Sequence, residues 1–232
     1  SSKYAFGLLK KEDMPTIPDM EKASKISVTK QVFLRGIGFT NTSIAHDETR
    51  YYLNGLNLFP MGKNAIRMES TDGVSACFFN AEVKGELDDK RSIIIPQQLV
   101  QCFNDIISKN HAGDDISVEM NSSLIKIEAV DGISITVMGR MIDGTFPDMD
   151  RFLRYDRDHK VNVMPRAAVI EALKRIGTIG RYSEKRTDGV KIEFNSDGIR
   201  ITARGESGDA EELVANSHPF IPITISASGS RL

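Results

Sequence analysis

Tryptophan is absent from this chain, and only two cysteines and four histidines occur among its 232 residues. Cys77 and Cys102 are too few for a disulfide framework or a cysteine metal quartet. The histidines fall in no HxxxH or HExxH spacing, which argues against a zinc enzyme. No apolar run approaches the ~18 residues of a membrane helix, and no secretory leader is read at the start. Charge of one sign is also missing. Thirty Lys+Arg against 32 Asp+Glu leave a net charge of −2, which excludes a uniformly basic nucleic-acid coat but not a locally basic face. Hydrophobic residues at 40% and charged residues at 27% fit a soluble globular chain, long enough for about two domains. These absences point to a cytoplasmic protein without metal or cofactor. They leave its task open.

What is present is an internal repeat. Ile116-Ser-Val-Glu-Met-Asn-Ser-Ser-Leu-Ile-Lys-Ile-Glu-Ala129 aligns with Val190-Lys-Ile-Glu-Phe-Asn-Ser-Asp-Gly-Ile-Arg-Ile-Thr-Ala203, with six of fourteen positions identical. Both alternate apolar and polar residues around a central Asn-Ser, the pattern of a β-hairpin with one buried face. Each follows a helix with the same entry: Ile93-Ile-Ile-Pro96 before one, Val161-Asn-Val-Met-Pro165 before the other. There a short strand ends and Pro is expected in the first helical turn. In the helix after Pro96, Leu99, Val100, Phe103, Ile106 and Ile107 form one apolar stripe.

An earlier copy runs from the strand Lys25-Ile-Ser-Val28 into a helix over 29–39, with Val32 and Phe39 expected inward. Its hairpin region includes Arg50-Tyr-Tyr-Leu53, read as strand, and Ala65-Ile-Arg-Met-Glu-Ser70. The unit is strand, helix, then antiparallel strands, which predicts an α+β protein. Copies begin near Lys25, Ser92 and Lys160, and another opens at Pro222-Ile-Thr-Ile225. Met14-Pro-Thr-Ile-Pro-Asp-Met20 resembles Thr145-Phe-Pro-Asp-Met149, so two units make one domain closed by a Pro-Asp-Met turn. The reading is a tail over 1–20, a complete domain over 21–150, a linker over 151–158 and half a further domain over 159–232.

Motifs for catalysis are missing. There is no GxGxxG, GxxxxGK[ST] or GxSxG. Asp72 and Asp143 precede glycine, which suits tight turns. A paired-carboxylate site from Asp72 and Asp148 is set aside. Cys77 and Cys102 lie among apolar neighbours and are read as inert thiols. Nothing near His46 completes a triad.

Four segments resemble the bacterial DNA polymerase III β subunit, the sliding clamp. They are Ala45-His-Asp-Glu-Thr-Arg-Tyr-Tyr-Leu-Asn-Gly55, Ser70-Thr-Asp-Gly73, Met141-Ile-Asp-Gly-Thr-Phe-Pro-Asp148 and Gly205-Glu-Ser-Gly-Asp-Ala-Glu-Glu212. The resemblance implies repeated units of the DNA clamp fold, helices on one face and sheets on the other. It implies a non-catalytic processivity factor, closed as a head-to-tail homodimer ring around duplex DNA in the full-length protein. Its partners would be the clamp loader, DNA polymerase III and other proteins with a clamp-binding motif. In those terms 1–20 ends domain one, 21–150 is domain two and 159–232 opens domain three. Ring closure is not expected of these residues alone.

Phosphate contact needs Lys and Arg on the helix face. Arg166, Lys174 and Arg181 fall within about an 80° arc if their helix persists past Gly177. The first helix offers Lys30 and Arg35, and the family's tyrosine pair stands here as Tyr51 and Tyr52. Acids are expected in outer loops: Glu82, Glu86, Asp88 and Asp89, then Glu206, Asp209, Glu211 and Glu212. One departure is Gln97-Gln98, where the family commonly has Arg-Lys.

Carried over position by position, the family's partner-peptide groove would use Leu53, Thr71, Gly73, Val74, Ser75, Ala76, Pro147, Arg151 and Phe152. Val74-Ser-Ala76 replaces the usual His-Arg-Leu, and Met149-Asp-Arg-Phe152 replaces Tyr-Arg-Arg-Val. A shallower subsite and an altered peptide preference are expected. These departures also keep a second reading in view, a clamp-like interaction scaffold that no longer encircles DNA.

Overall fold

The structure, a computed structural model, describes residues 3–4, 7–8, 10–13, 16, 18–87, 93–110, 113–131, 133–151, 162–180, 189–205, 208–216 and 220–228. The chain divides into two compact units, Ser1–Asp148 and Met149–Leu232.

In the first unit, strand β1 (Ser24–Thr29) leads into helix α1 (Lys30–Thr40). Thr29 sets the start: its backbone is extended and its hydroxyl accepts the Val32 N–H at 3.4 Å, the duty of an N-cap. At the other end Thr40 Oγ1 donates to the Gly36 carbonyl at 2.8 Å. Phe33, Gly36, Ile37 and Thr40 are the buried residues of α1. Val32 is half-buried against the core, but Phe39 is 53% exposed, against expectation. The bare Gly36 determines which side faces in. A Cβ there would lie 2.4 Å from Met68 Sδ, so only glycine lets the helix settle this close to the sheet.

Strands β2 (Gly55–Pro60), β3 (Ala65–Thr71), β4 (Ala76–Glu82) and β5 (Lys84–Glu86) follow. Then β6 (Ile93–Pro96) enters α2 (Gln97–Asn110), and β7 (Asp115–Met120), β8 (Leu124–Asp131) and β9 (Ile133–Arg140) complete the unit. Tyr51–Leu53 is a single 3-10 turn, not a strand. On α2, Val100, Phe103 and Ile107 are buried, Leu99 packs against the core and Ile106 is half-buried.

The two sheets have orders β5-β1-β7-β8-β9 and β4-β3-β2-β6. Each lead strand leaves its own repeat. Val28 of β1 pairs with Ile116 of β7, and Ile95 of β6 pairs with Leu56 of β2. This exchange fuses two repeats into one core, which draws on both helices and both sheets. Glu119 of β7 stands between Lys25 of β1, 2.8 Å away, and Lys126 of β8, 2.6 Å away. Hydrogen bonds from Lys126, then from Lys25, hold its carboxyl below the usual range.

The second unit carries α3 (Arg166–Gly180) and strands β10 (Gly189–Asn195), β11 (Gly198–Gly205), β12 (Gly208–Val214) and β13 (Ile223–Ser228), in sheet order β12-β11-β10-β13. Val169, Ala172 and Ile176 of α3 join its core. Both repeated hairpins form. Asn121 Oδ1 closes the first by accepting Ser123 and Leu124 N–H at 3.0 and 2.9 Å. The second turns through Ser196-Asp197, and Gly198 (φ +141) lets β12 come so near that a Cβ would meet the Val214 carbonyl at 2.4 Å.

Of the lead strand expected before α3, Val161 lies outside the described residues and 162–165 form no strand. β13 pairs with β10 as β6 pairs with β2. Asn162 instead clasps the Ile221 backbone, donating to its carbonyl at 3.0 Å and accepting its N–H at 2.9 Å. Pro165 stands one residue before α3, its carbonyl accepting the Val169 N–H at 3.1 Å. Pro96 likewise precedes α2. Both prolines occupy cap positions rather than the first turn.

Candidate functional site

Residues 71–76 link β3 to β4 and fold back through their own side chains. Asp72 Oδ1 accepts the N–H groups of Val74 and Ser75 at 2.9 and 2.7 Å. Thr71 Oγ1 donates to the Ser75 carbonyl at 2.7 Å and accepts the Gly73 N–H at 3.1 Å. Asp72 therefore shapes a turn, as its Asp-Gly context suggested. The turn is tied to the end of α1 by Ser43 Oγ, 3.1 Å from Ser75 Oγ and 3.2 Å from Cys77 Sγ. Cys77 is half-buried among hydroxyls, since Thr42 Oγ1 also lies 3.5 Å from its sulfur. That corrects the apolar setting expected for it.

Of the groove residues, Leu53 and Thr71 are buried, Gly73 and Ala76 are exposed, and Val74 is 82% exposed. Ser75 and Pro147 are half-buried. The loop over 45–54 is brought against the turn through Arg50. A Cβ on Gly73 (φ +87) would lie 2.6 Å from Arg50 Nη1. The 142–147 segment joins this neighbourhood. Ile142 bridges to Ile94, and Gly144 backs onto Tyr52, whose Cβ would stand 3.0 Å from a Cβ on that glycine. Tyr51 and Tyr52 contact edge-to-face at 6.0 Å. Tyr51 is 53% exposed. Arg151 is exposed in the second unit, and Phe152 lies outside the described residues.

The helix faces are uneven in charge. On α1, Arg35 is exposed and Lys30 half-buried. On α2, Gln98, Gln101, Asp105, Ser108 and Lys109 face solvent, and Lys109 pairs with Asp105 at 3.6 Å. Helix α3 does persist past Gly177, and it exposes Arg166 and Lys174; Arg181 is outside the described residues. Lys174 is held by Glu171 at 2.9 Å, which lowers the Glu171 carboxyl pKa. Arg175 is hydrogen-bonded to Glu212 of β12. The acids expected in loops are partly strand residues. Asp209, Glu211 and Glu212 lie in β12, where Glu211 pairs with Arg200 and Asp209 with Arg204, and Glu82 and Glu86 end β4 and β5. Glu206, Asp88 and Asp89 are outside the described residues. Of these acids, Asp209 and Glu211 face arginines of the neighbouring strand, and Glu212 faces Arg175 of α3.

Sequence reading missed the Asp47, Arg50 and Asn54 cluster that shapes the loop. The Asp-x-Thr-Arg order was its one available signal, since Asp commonly caps a turn two or three residues on. Among the described residues no three His, Cys, Asp or Glu side chains gather as metal ligands. Among the described residues no helix is long and apolar enough to cross a membrane.

Paired helices on a shared core with two antiparallel sheets place the chain in the sliding-clamp class of folds. It superposes on the β subunit from DNA polymerase of Streptococcus pyogenes with a TM-score of 0.80 at 18% identity, covering 94% of this chain and 57% of that one. On the DnaN sliding clamp of Bartonella birtlesii, solved bound to griselimycin, the TM-score is 0.77 at 23% identity, covering 95% and 58%. The family described as DNA polymerase III beta subunit, central domain, matches residues 27–148, and the chain belongs to that family. Similar proteins include the beta sliding clamps of Vibrio cholerae, 29% identical over 226 residues (97% of this chain, 58% of the relative), and Rickettsia bellii, 27% identical over 209 residues (89% and 53%). The chain thus spans a little over half the length of these relatives.

Proposed function

We propose that this chain serves as a cytoplasmic, non-catalytic DNA sliding clamp. Its helix face meets duplex DNA, and the 71–76 turn with Leu53 and Pro147 forms part of a groove for partner peptides. Residues 21–150 correspond to the second clamp domain and 159–232 to the opening of the third, with 151–158 as linker and 1–20 as the end of the first. Ring closure, clamp loading and polymerase tethering belong to a protein of the relatives' length. For these residues the proposal is duplex contact and peptide capture. The observation that carries it is the clamp fold over 95% of the chain. The exposed Arg35 of α1 and Arg166 of α3 support the same reading.

Removing one positive charge from a helix of each unit tests the DNA half. In Arg35→Ala/Arg166→Ala, duplex affinity is expected to fall and the salt slope to flatten by about 2, one phosphate contact per arginine. Fluorescence titration from low to moderate salt measures this. An unchanged slope would remove both residues from the interface. The second reading, a scaffold that does not hold DNA, is favoured by α2, whose solvent face offers glutamines and an Asp105–Lys109 pair. Absence of duplex binding even at low salt, with peptide binding intact in the unaltered protein, would select it.

The peptide half rests on Ala76, which leaves a small side chain where the family has leucine. Ala76→Leu adds apolar surface for an anchor residue, worth ~2 kcal/mol if fully buried. Affinity for a peptide with a Gln and hydrophobic anchors should rise at least about tenfold. Equal affinity by calorimetry would place Ala76 outside the groove.

A further inference from the structure

The loop between the helix face and the 71–76 turn depends on one carboxylate. Asp47 Oδ1 accepts hydrogen bonds from Thr49 N–H (2.8 Å), Thr49 Oγ1 (2.7 Å) and Arg50 N–H (2.9 Å). Its Oδ2 accepts from Arg50 Nε at 2.8 Å, with Nη2 of the same guanidinium also at 2.8 Å. The Asp47 backbone is clasped as well: its N–H donates to Asn54 Oδ1 at 2.9 Å, and its carbonyl accepts from Asn54 Nδ2 at 2.7 Å. The Asn54 carbonyl then accepts the N–H of Gln97, the first residue of α2, at 3.1 Å. On the opposite side the guanidinium lies on the bare backbone of Gly73. A continuous chain of polar contacts therefore runs from the start of α2, through Asn54 and Asp47, to Arg50, whose guanidinium packs against Gly73 of the turn. Tyr51 and Tyr52 sit on the segment it clamps.

The geometry points to Asp47 as a positioning residue that holds Arg50 over Gly73 and so couples peptide capture at the turn to duplex contact at the helix face. The inference rests on the function proposed above for these two surfaces. Its physical basis is the geometry of arginine. An untethered guanidinium samples many rotamers, whereas a two-point pair with a carboxylate selects one. The carboxylate is itself fixed by backbone N–H donors, so the loop, the guanidinium and the turn move as one body. The same donors hold the Asp47 carboxyl well below the usual range, the Arg50 N–H first among them and the Thr49 hydroxyl next. The Asp47 carboxyl is therefore ionised at neutral pH.

Coupling is measured by titrating a fluorescent peptide (one Gln, two hydrophobic anchors) with and without saturating duplex, and the duplex with and without peptide. Binding linkage requires the same factor in both directions. The unaltered protein should show a factor of about 5 or more, and Asp47→Ala should bring it to within about twofold of one. Glu48→Gln removes the same charge from an exposed neighbour and should keep the full factor. Asp47→Asn retains an acceptor for the N–H groups but not the ion pair, and should fall between. If Asp47→Ala does not fold, Arg50→Ala leaves the Asp47 cap in place and must abolish the factor by itself. Independent binding of peptide and duplex in the unaltered protein, or full coupling in Asp47→Ala, would overturn the assignment. Failure of the unaltered protein to bind either ligand would instead sink the proposed function, and the coupling with it.

Discussion

Glu69→Ala is expected to destabilise the first unit by about 3–5 kcal/mol, the usual result of stripping one partner from a buried ion pair. Glu69 is 1% exposed and Arg67 5% exposed, both on β3. Arg67 Nε donates to Glu69 Oε1, and Asn57 Nδ2 donates to Oε2 at 2.8 Å. Asn57 Oδ1 in turn accepts the Ile93 N–H at 3.2 Å, so the network spans β3, β2 and β6. The Arg67 guanidinium also lies over the rings of Phe59 and Phe78, 4.9 and 5.7 Å from their centroids. Alanine would leave a buried cation without this carboxylate and an amide without its acceptor. Those rings cannot substitute for a full negative charge. The double variant Arg67→Met/Glu69→Leu removes both charges and should be far less damaging than the single change. Denaturant midpoints for the two variants decide the matter. A loss below ~1 kcal/mol for Glu69→Ala would mean that water reaches the pair.

That network marks where sequence legibility stopped. The hairpins were readable because Ile116–Ala129 and Val190–Ala203 alternate with one face in the core, and two sheets do bury those faces. In Ala65–Thr71 the same alternation would put Arg67 and Glu69 in water, yet β3 is covered on both sides. Alternation reports which residues differ, not whether a second layer covers the polar set. The 3-10 turn at Tyr51–Leu53 was unreadable for a similar reason. Two tyrosines and a leucine have strand propensity, but the Asp47 cap and the Asn54 clasp impose a turn. The candidate site was legible where the chain itself makes a turn, at Thr71-Asp72-Gly73. It was illegible where distant segments meet, as Arg50 does with Gly73 and Tyr52 with Gly144. Charge was legible only in part. Acids expected in an outer loop include Asp209, Glu211 and Glu212 of β12, where strand register sets Arg204 opposite Asp209, and Arg200 reaches Glu211 from the neighbouring strand.

Phe103→Ala should also cost about 3–5 kcal/mol, the range for truncating a fully buried aromatic ring. Phe103 is 0% exposed, tilted against Phe33 of α1 with ring centroids 6.5 Å apart. Val100, Phe103 and Ile107 on α2 recur in spacing as Val169, Ala172 and Ile176 on α3, all six buried. The middle position is a phenylalanine in one unit and an alanine in the other. The reason is the volume each helix must fill. In the first unit two helices and two exchanged sheets meet, and Phe33 and Phe103 bridge the space between α1 and α2. In the second unit α3 is the only described α-helix, packed on one sheet whose core is filled by Phe194 and Phe220 in edge-to-face contact. The two positions are therefore not interchangeable despite their shared register. Ala172→Phe should destabilise the second unit by about 1–3 kcal/mol through overpacking, while Phe103→Leu should recover much of what Phe103→Ala loses. Hydrogen exchange can assign each loss to its own unit. If Phe103→Ala loosened both units equally, or cost less than ~1.5 kcal/mol, the ring would not be the keystone of the two-helix core.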